Sequence, residues 1–295
     1  MSYRIPAAVP VPERNEVNLT RDLLPVALND LSLHLKTYFP DTVRLVVHGG
    51  VVMVFHPQLA CRDMTRDIDY IHRSFEAEWK ARSLSDAGPR LRTCIKATAQ
   101  AWGLGTDWMN ACADVALPIS RDTFGKPFDP ISYDTLSPNN VEKNTIFKSK
   151  NGMLVLVGVS WGWAVALKLV RYEKHDPYDI ASILRLGHQQ RKVKWTRTLL
   201  EQWLRQMCIA MNYDSYTPYQ METTRQRMRH AIALAYEQHV YLLQHQSHVN
   251  AAHKNLYNVS RRVSQLCHGS IIRRTKRVDH HDSGNSDSTL HATLL

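Results

Sequence analysis

The chain has 295 residues, 44% of them hydrophobic and 22% charged, which suits one large domain or two modest ones with a real core and argues against general disorder. A formal charge of +10 favours anionic partners such as nucleotides or nucleic acid, unless it serves solubility alone. The five cysteines, Cys61, Cys94, Cys112, Cys208 and Cys267, are odd in number and form no C-x-x-C pair. They exclude a disulfide framework and a cysteine zinc site and fit a reducing intracellular compartment, with the cytoplasm favoured over the nucleus.

Residues 1–19 are proline-rich, lack the apolar core of a secretory signal and are expected to be extended. "RDLLPVALNDLSLHLKTYFP" carries Leu23, Leu24, Val26, Leu31, Leu33 and Leu35 at helical spacing, and Pro40 stops it. "TVRLVVHGG" predicts a strand ending in a turn, after which "VVMVF" opens a helix despite its β-branched residues. "TRDIDYI" alternates and predicts a second strand. Helical pieces follow from Ser74 to Leu104, and "TDWMNACADVALP" is expected to be a short helix capped by Thr106 or Asp107. Residues 120–145, rich in Pro, Asp, Ser and Asn, are expected to be a loop. "TIFKS" and "MLVLVGVS" predict a hairpin turning at Lys150-Asn151-Gly152.

From Ser160 on, the pattern is helical: a helix, a turn at Pro177 and a second helix, then "WTRTLLEQWLRQMCIAMN", then one or two long helices over 219–267. The most apolar stretch, residues 153–167, is shorter than the ~20 apolar residues a membrane span needs and is broken by Gly158, Ser160 and Gly162. It is expected to be a buried strand followed by a buried helix, and no membrane association is expected. Residues 268–295 are polar and aperiodic and are expected to be a disordered tail.

The stretch that carries chemistry lies between His48 and Tyr70. Side chains at i and i+2 of a strand share a face, so Asp67 and Asp69 project together while Ile68 and Tyr70 face away. Two carboxylates this close repel each other, and a divalent cation converts that cost into affinity. Gly49 and Gly50, at the end of the preceding strand, allow a sharp turn and close approach of a phosphate to the backbone. Together these residues suggest a magnesium-dependent nucleoside triphosphate (NTP) site. An exposed alternating edge strand would show the same Asp-x-Asp pattern without any such role.

"HGG…TRDID" resembles the nucleotidyltransferase superfamily signature of a glycine pair followed by Asp-hydrophobic-Asp, with a slightly longer gap between Gly50 and Asp67 than is usual. "WAVALKLVRYEKHDPYDIASIL" and "DWMNACADVALP" resemble elements of the AbiEii-toxin-like branch and its relatives, so the likeness covers roughly residues 43–186. It implies an α+β fold, a mixed sheet flanked by helices, as a nucleotidyltransferase-like domain over 20–186. An all-helical region over 187–267 and the tail would follow. It further implies magnesium and transfer of a nucleotide from an NTP, such as ATP, to an acceptor hydroxyl on a protein, an RNA or a small molecule. By that resemblance Gly49 and Gly50 bind triphosphate and Asp67 and Asp69 bind magnesium. Lys168 either reaches a phosphate or snorkels at the edge of an apolar helix. Asp176 and Asp179 pair with Lys168 or Arg171, or cap the second helix.

Active members of the superfamily carry a third carboxylate on a later strand as general base. "MLVLVGVS" offers none, and Asp107 and Asp114 have no spacing that assigns the role. The competing expectation is therefore an inactive module of the same fold that binds nucleotide, nucleic acid or a protein.

Residues 185–229 are basic, with Trp195, Trp203, Tyr213, Tyr216 and Tyr219 interleaved, and would suit a nucleic-acid face or an ordinary solvated helix surface with its aromatics in the core. His239, His245, His248 and His253 lack acidic or cysteine partners and are expected at the surface. No P-loop, Rossmann fingerprint or Gly-x-Ser-x-Gly elbow is present.

Overall fold

The computed structural model describes residues 11–237. The expected helices beyond residue 237, the four histidines from His239 to His253 and the tail lie outside the described residues. In chain order the elements begin with β1 (Leu19–Thr20), α1 (Leu23–Tyr38), β2 (Val43–His48), α2 (Gly50–Phe55), β3 (Met64–Thr65) and β4 (Ile68–Tyr70). Next come α3 (His72–Ala81), α4 (Ala87–Trp102), β5 (Met109–Asn110), β6 (Ser120–Arg121), β7 (Pro127–Phe128), α5 (Pro130–Thr135) and α6 (Pro138–Asn144). The hairpin β8 (Thr145–Lys148) and β9 (Leu154–Gly158) leads into α7 (Trp161–Arg171), α8 (Asp176–Arg191) and α9 (Arg197–Met207), and residues 218–237 are helical.

Five strands form one mixed sheet in the order β5-β4-β2-β9-β8. The central β2 runs antiparallel to β4 and parallel to β9, and β4 runs parallel to the edge strand β5. β2 is buried at five of its six positions because it is covered on both faces, which explains its unbroken β-branched run. α1 packs on α4 and β9, α2 packs on β2 and β4, and α7 packs on α8 and α9. α2 forms in spite of its propensity: Val51, Val52, Met53 and Val54 are all buried, and packing outweighs the helix-disfavouring β-branches. One apolar core runs from Leu19 to Ala235, and the domain boundary drawn at residue 186 falls within α8.

The predicted hairpin forms, with Gly152 at φ 73° in its turn. Two expectations are corrected. "TDWMNACADVALP" is not an α-helix: Met109 and Asn110 join the sheet, and Cys112–Ala116 form a 3-10 turn. Nor is 120–145 a plain loop. It holds the small β6–β7 hairpin and two short helices, each opened by a proline, with the Asp129 side chain accepting from Ser132 N at 2.8 Å.

Among the described residues, no helix is long and apolar enough to cross a membrane.

Candidate functional site

β2 ends at His48, and Gly49 turns the chain into α2 with φ 73° and ψ −141°, a conformation that glycine alone adopts cheaply. A Cβ on Gly49 would meet Asp69 Oδ2 at 2.5 Å, and one on Gly50 would collide with Thr65 Oγ1. The glycine pair is thus what lets the second aspartate lie against the turn. Across the sheet His48 pairs with Asp69, and Asp69 pairs with Asn110, so three polar residues form one row over three strands. Asp67 lies just before the start of β4 and lines the same cavity as Asp69.

No hydrogen bond or ion pair engages either carboxylate among the described residues, and both are partly buried. Burial, then the nearby charges of Asp69 and Asp107, pushes the Asp67 carboxyl up to about 6. Burial also raises Asp69, against the opposing pull of Arg171 and Lys168. His48 is buried, its Nε2 has no hydrogen-bond partner among the described residues, and desolvation lowers its pKa to about 4 against the charge of Asp114.

Beside the carboxylates lies an ion cluster built on the buried side chains of Lys168, Asp176 and Asp179. Lys168 Nζ contacts Asp179 Oδ2 at 2.7 Å and Asp176 Oδ1 at 3.3 Å, and Arg171 Nε contacts Asp176 Oδ2 at 2.9 Å. Arg62 Nε donates to Asp179 Oδ1 at 2.8 Å. Burial works against ionisation of Asp176, but Arg171 and Lys168 together outweigh it and hold its pKa low. Asp176 and Asp179 therefore do both things expected of them: they pair with the cations of α7 and they stand in the first turn of α8.

Two cavities meet at Asp69 and Arg171, which line both. One, of about 360 Å³, is ringed by Gly50, Arg62, Arg66, Asp67, Lys174 and His175. The other, of about 220 Å³, is lined by His48, Gly49 and Lys168 together with apolar side chains such as Leu117, Leu167 and Met211. The structure thus brings Gly49, Gly50, Asp67, Asp69 and Lys168 together. Arg62, Arg66 and Lys174 were assigned no role from the sequence, because nothing in their spacing sets them apart from other surface cations. Arg171, one helical turn after Lys168 on α7, was foreseeable from its spacing.

Asp107 and Asp114 have different duties. The Asp107 side chain accepts from Asn15 N, and Asp114 Oδ2 accepts from His72 N and Arg73 N, both at 2.9 Å, at the start of α3. In the basic C-terminal run, Trp195 and Trp203 pack against the core and Tyr213 is buried, while Tyr219 is exposed. Arg197, Arg205 and Arg225 converge on Glu201, with Arg225 Nε 2.9 Å from its Oε2. Arg225, helped by Arg197 and Arg205 and opposed by burial, holds Glu201 down at about 2. Much of that run is therefore structural.

No protein-family model, curated protein or solved structure matches this chain.

Among the described residues, no group of three or more His, Cys, Asp or Glu side chains is placed to hold a metal. What the site offers a cation is two unpartnered carboxylates in mutual repulsion. That donor set suits magnesium, which takes one or two carboxylates and fills its shell with phosphate oxygens and water.

Proposed function

We propose that the chain is a magnesium-dependent nucleotidyltransferase that moves a nucleotide from an NTP to an acceptor hydroxyl. One observation carries this reading: the Asp67 and Asp69 carboxylates have no partner among the described residues, Asp69 lies directly against Gly49, and both line one cavity with Gly50. The likeness to the nucleotidyltransferase signature supports it, as does the arrangement of a glycine turn on β2 with the carboxylates at the start of and within the antiparallel neighbour β4.

In this reading Asp67 and Asp69 hold the metal, and the polyphosphate fills the 360 Å³ cavity. Magnesium bound there supplies charge stabilisation for the attacking and leaving oxygens. Gly49 and Gly50 let the backbone approach the phosphates, and Arg66, Lys174 and Arg171 offer them cationic partners. Lys168 holds its charge close behind Asp69 and favours its ionised, metal-binding form.

A specific observation favours the second reading, a catalytically silent module that binds nucleotide. The strand beside β4 presents Asn110 opposite Asp69, an amide and not the third acid that the superfamily resemblance calls for on a later strand. Its Nδ2 donates to Asp107 O and its Oδ1 accepts from Cys112 N, both at 3.0 Å, so the side chain has a structural occupation.

The test is titration of the purified chain with each common NTP, with and without magnesium, repeated on Asp67→Ala/Asp69→Ala. Binding that needs magnesium and disappears in the double variant is the expected result. Label from an α-labelled NTP appearing on an acceptor then separates transferase from silent module. If the wild-type chain binds no NTP with magnesium present, both readings fail.

A further inference from the structure

α7 and α8 are joined by four residues, and three of them, Glu173, Lys174 and His175, line the polyphosphate cavity together with Arg171. The joint is strained. Tyr172 and Lys174 both take the left-handed conformation, at φ 55° and φ 45°. Residues with a Cβ enter that region at a cost, and such strain persists only where the surrounding structure imposes it. Here it falls on the loop that brings Lys174 to the cavity, and the Lys174 ammonium has no partner among the described residues.

What imposes the strain comes from far along the chain. The last carbonyls of a helix have no intrahelical donor. At the end of α7, Lys168 O accepts from Tyr172 N at 2.8 Å, and Arg227 Nη1 donates to both Leu169 O and Val170 O at 2.6 Å. The Arg227 guanidinium carbon lies 5.6 Å from the centre of the Tyr172 ring, within cation–π reach. The Tyr172 hydroxyl lies 2.9 Å from Arg227 O and from His230 Nδ1, and its one proton serves either acceptor. Glycine would end α7 in this conformation without strain. Tyrosine supplies instead a ring and a hydroxyl that Arg227 and His230 engage. On the far side of the loop, Asp176 Oδ2 accepts from Glu173 N at 3.0 Å, so Lys174 stands between two anchors.

The loop also carries charges of both signs. Glu173 lines the same cavity and repels phosphate, whereas Lys174 attracts it, so the path of the backbone decides which charge the phosphates meet. We propose that Arg227 is a positioning residue for phosphate recognition: by holding Tyr172 and the end of α7, it fixes Lys174 where it meets the triphosphate of a bound NTP. The helix over 218–237 thereby sets the affinity of the polyphosphate cavity without lining it. The proposal rests on the nucleotidyltransferase reading above and assigns control of that site to a helix outside it.

The test is a double-mutant cycle on the full chain, read by calorimetry with the magnesium complexes of ATP, GTP, CTP and UTP. Arg227→Met and Lys174→Ala should each weaken the tightest of these by about tenfold. The double variant should match Lys174→Ala within about twofold, because Arg227 acts through Lys174. Losses that multiply to about a hundredfold would make the two residues independent and overturn the proposal. Met228→Ala is the control for general loosening, since that side chain is fully buried on the same helix. It should lower Tm at least as far as Arg227→Met does and leave NTP affinity unchanged. An affinity loss equal to that of Arg227→Met would overturn the proposal.

Should Arg227→Met fail to fold, Tyr172→Phe runs the same cycle, because it keeps the ring and removes only the hydroxyl bond. It should cost about threefold with Lys174 present and nothing in the Lys174→Ala background. Equal loss in both backgrounds, or loss in neither, counts against the proposal. In each of these failures the wild-type chain still binds NTP and the transferase reading stands. Absence of any NTP binding by the wild-type chain would remove that reading, and this proposal with it.

Discussion

The ammonium of Lys168 lies 2.7 Å from Asp179 Oδ2, and only 5% of the lysine side chain and 2% of the aspartate side chain are exposed. Breaking a buried pair by removing one partner leaves a charge without compensation and costs about 3–5 kcal/mol. Asp176 and Asp179 keep Arg171 and Arg62, so Lys168→Met should cost about 3 kcal/mol, the lower end of that range. Urea denaturation measures it. A loss of nucleotide affinity with no loss of stability would instead make Lys168 a direct phosphate ligand.

Gly49 offers a sharper test of the site, because its backbone and its neighbour make separate demands. Gly49→Ala should cost about 1–3 kcal/mol for the glycine-only conformation and also push Asp69 away from the turn. Magnesium-dependent nucleotide binding should then fall by more than about tenfold. Gly152→Ala is the control: its φ is also 73°, but no atom lies within 4 Å of the added Cβ, so it should lose stability alone. Equal loss of binding in both variants would reduce the effect to general destabilisation.

The uneven legibility of the site has physical causes. The glycine turn and the two aspartates could be read because β-branched runs, paired glycines and period-two alternation are local signals. Strand β5 could not, since it has two residues and owes its place to β4, where Ile68 N donates to Trp108 O at 2.8 Å. Its register decides that Asn110, and not Asp107 or Asp114, faces Asp69. The Asp129-Pro130 and Ser137-Pro138 pairs were visible cap signals inside a polar stretch, and the helices they open were masked by its composition. The convergence of Arg62 and Arg66 on the site depends on loop geometry that no periodicity encodes.

The raised carboxyl of Asp67 makes stability depend on pH. Its pKa of about 6 lies above the ordinary value of 3.8, so the folded chain holds that proton to higher pH than the unfolded chain does. Native stability is therefore greatest, in this respect, below about pH 4, is lost as pH rises to about 6, and stays lower above that. Asp67→Asn removes this loss. Relative to wild type it should be neutral near pH 4 and more stable by about 1 kcal/mol at pH 7–8, a figure discounted for partial solvation. Added magnesium should stabilise wild type at pH 8 and leave the variant nearly unchanged. Denaturation series across this pH range, with and without magnesium, check both. A variant less stable than wild type at pH 8 without metal would mean that the two carboxylates are not in conflict.

The amide facing Asp69 gives the last prediction, and it separates the two functional readings. Asn110→Asp would put a third carboxylate in the row formed by His48, Asp69 and Asn110. In the free protein the new charge loses the bond to Asp107 O and adds to the repulsion around Asp67 and Asp69, costing about 1–3 kcal/mol. With magnesium and nucleotide present the sign should reverse. A third anion should strengthen metal-dependent nucleotide binding by about tenfold. If the wild-type chain is a silent module, the variant should also gain measurable transfer to an acceptor. If wild type already turns over, the existing donors suffice, and the added acid should change affinity more than rate. Unchanged magnesium affinity in a folded variant would show that this side chain points away from the metal, held by its contact with Cys112 N.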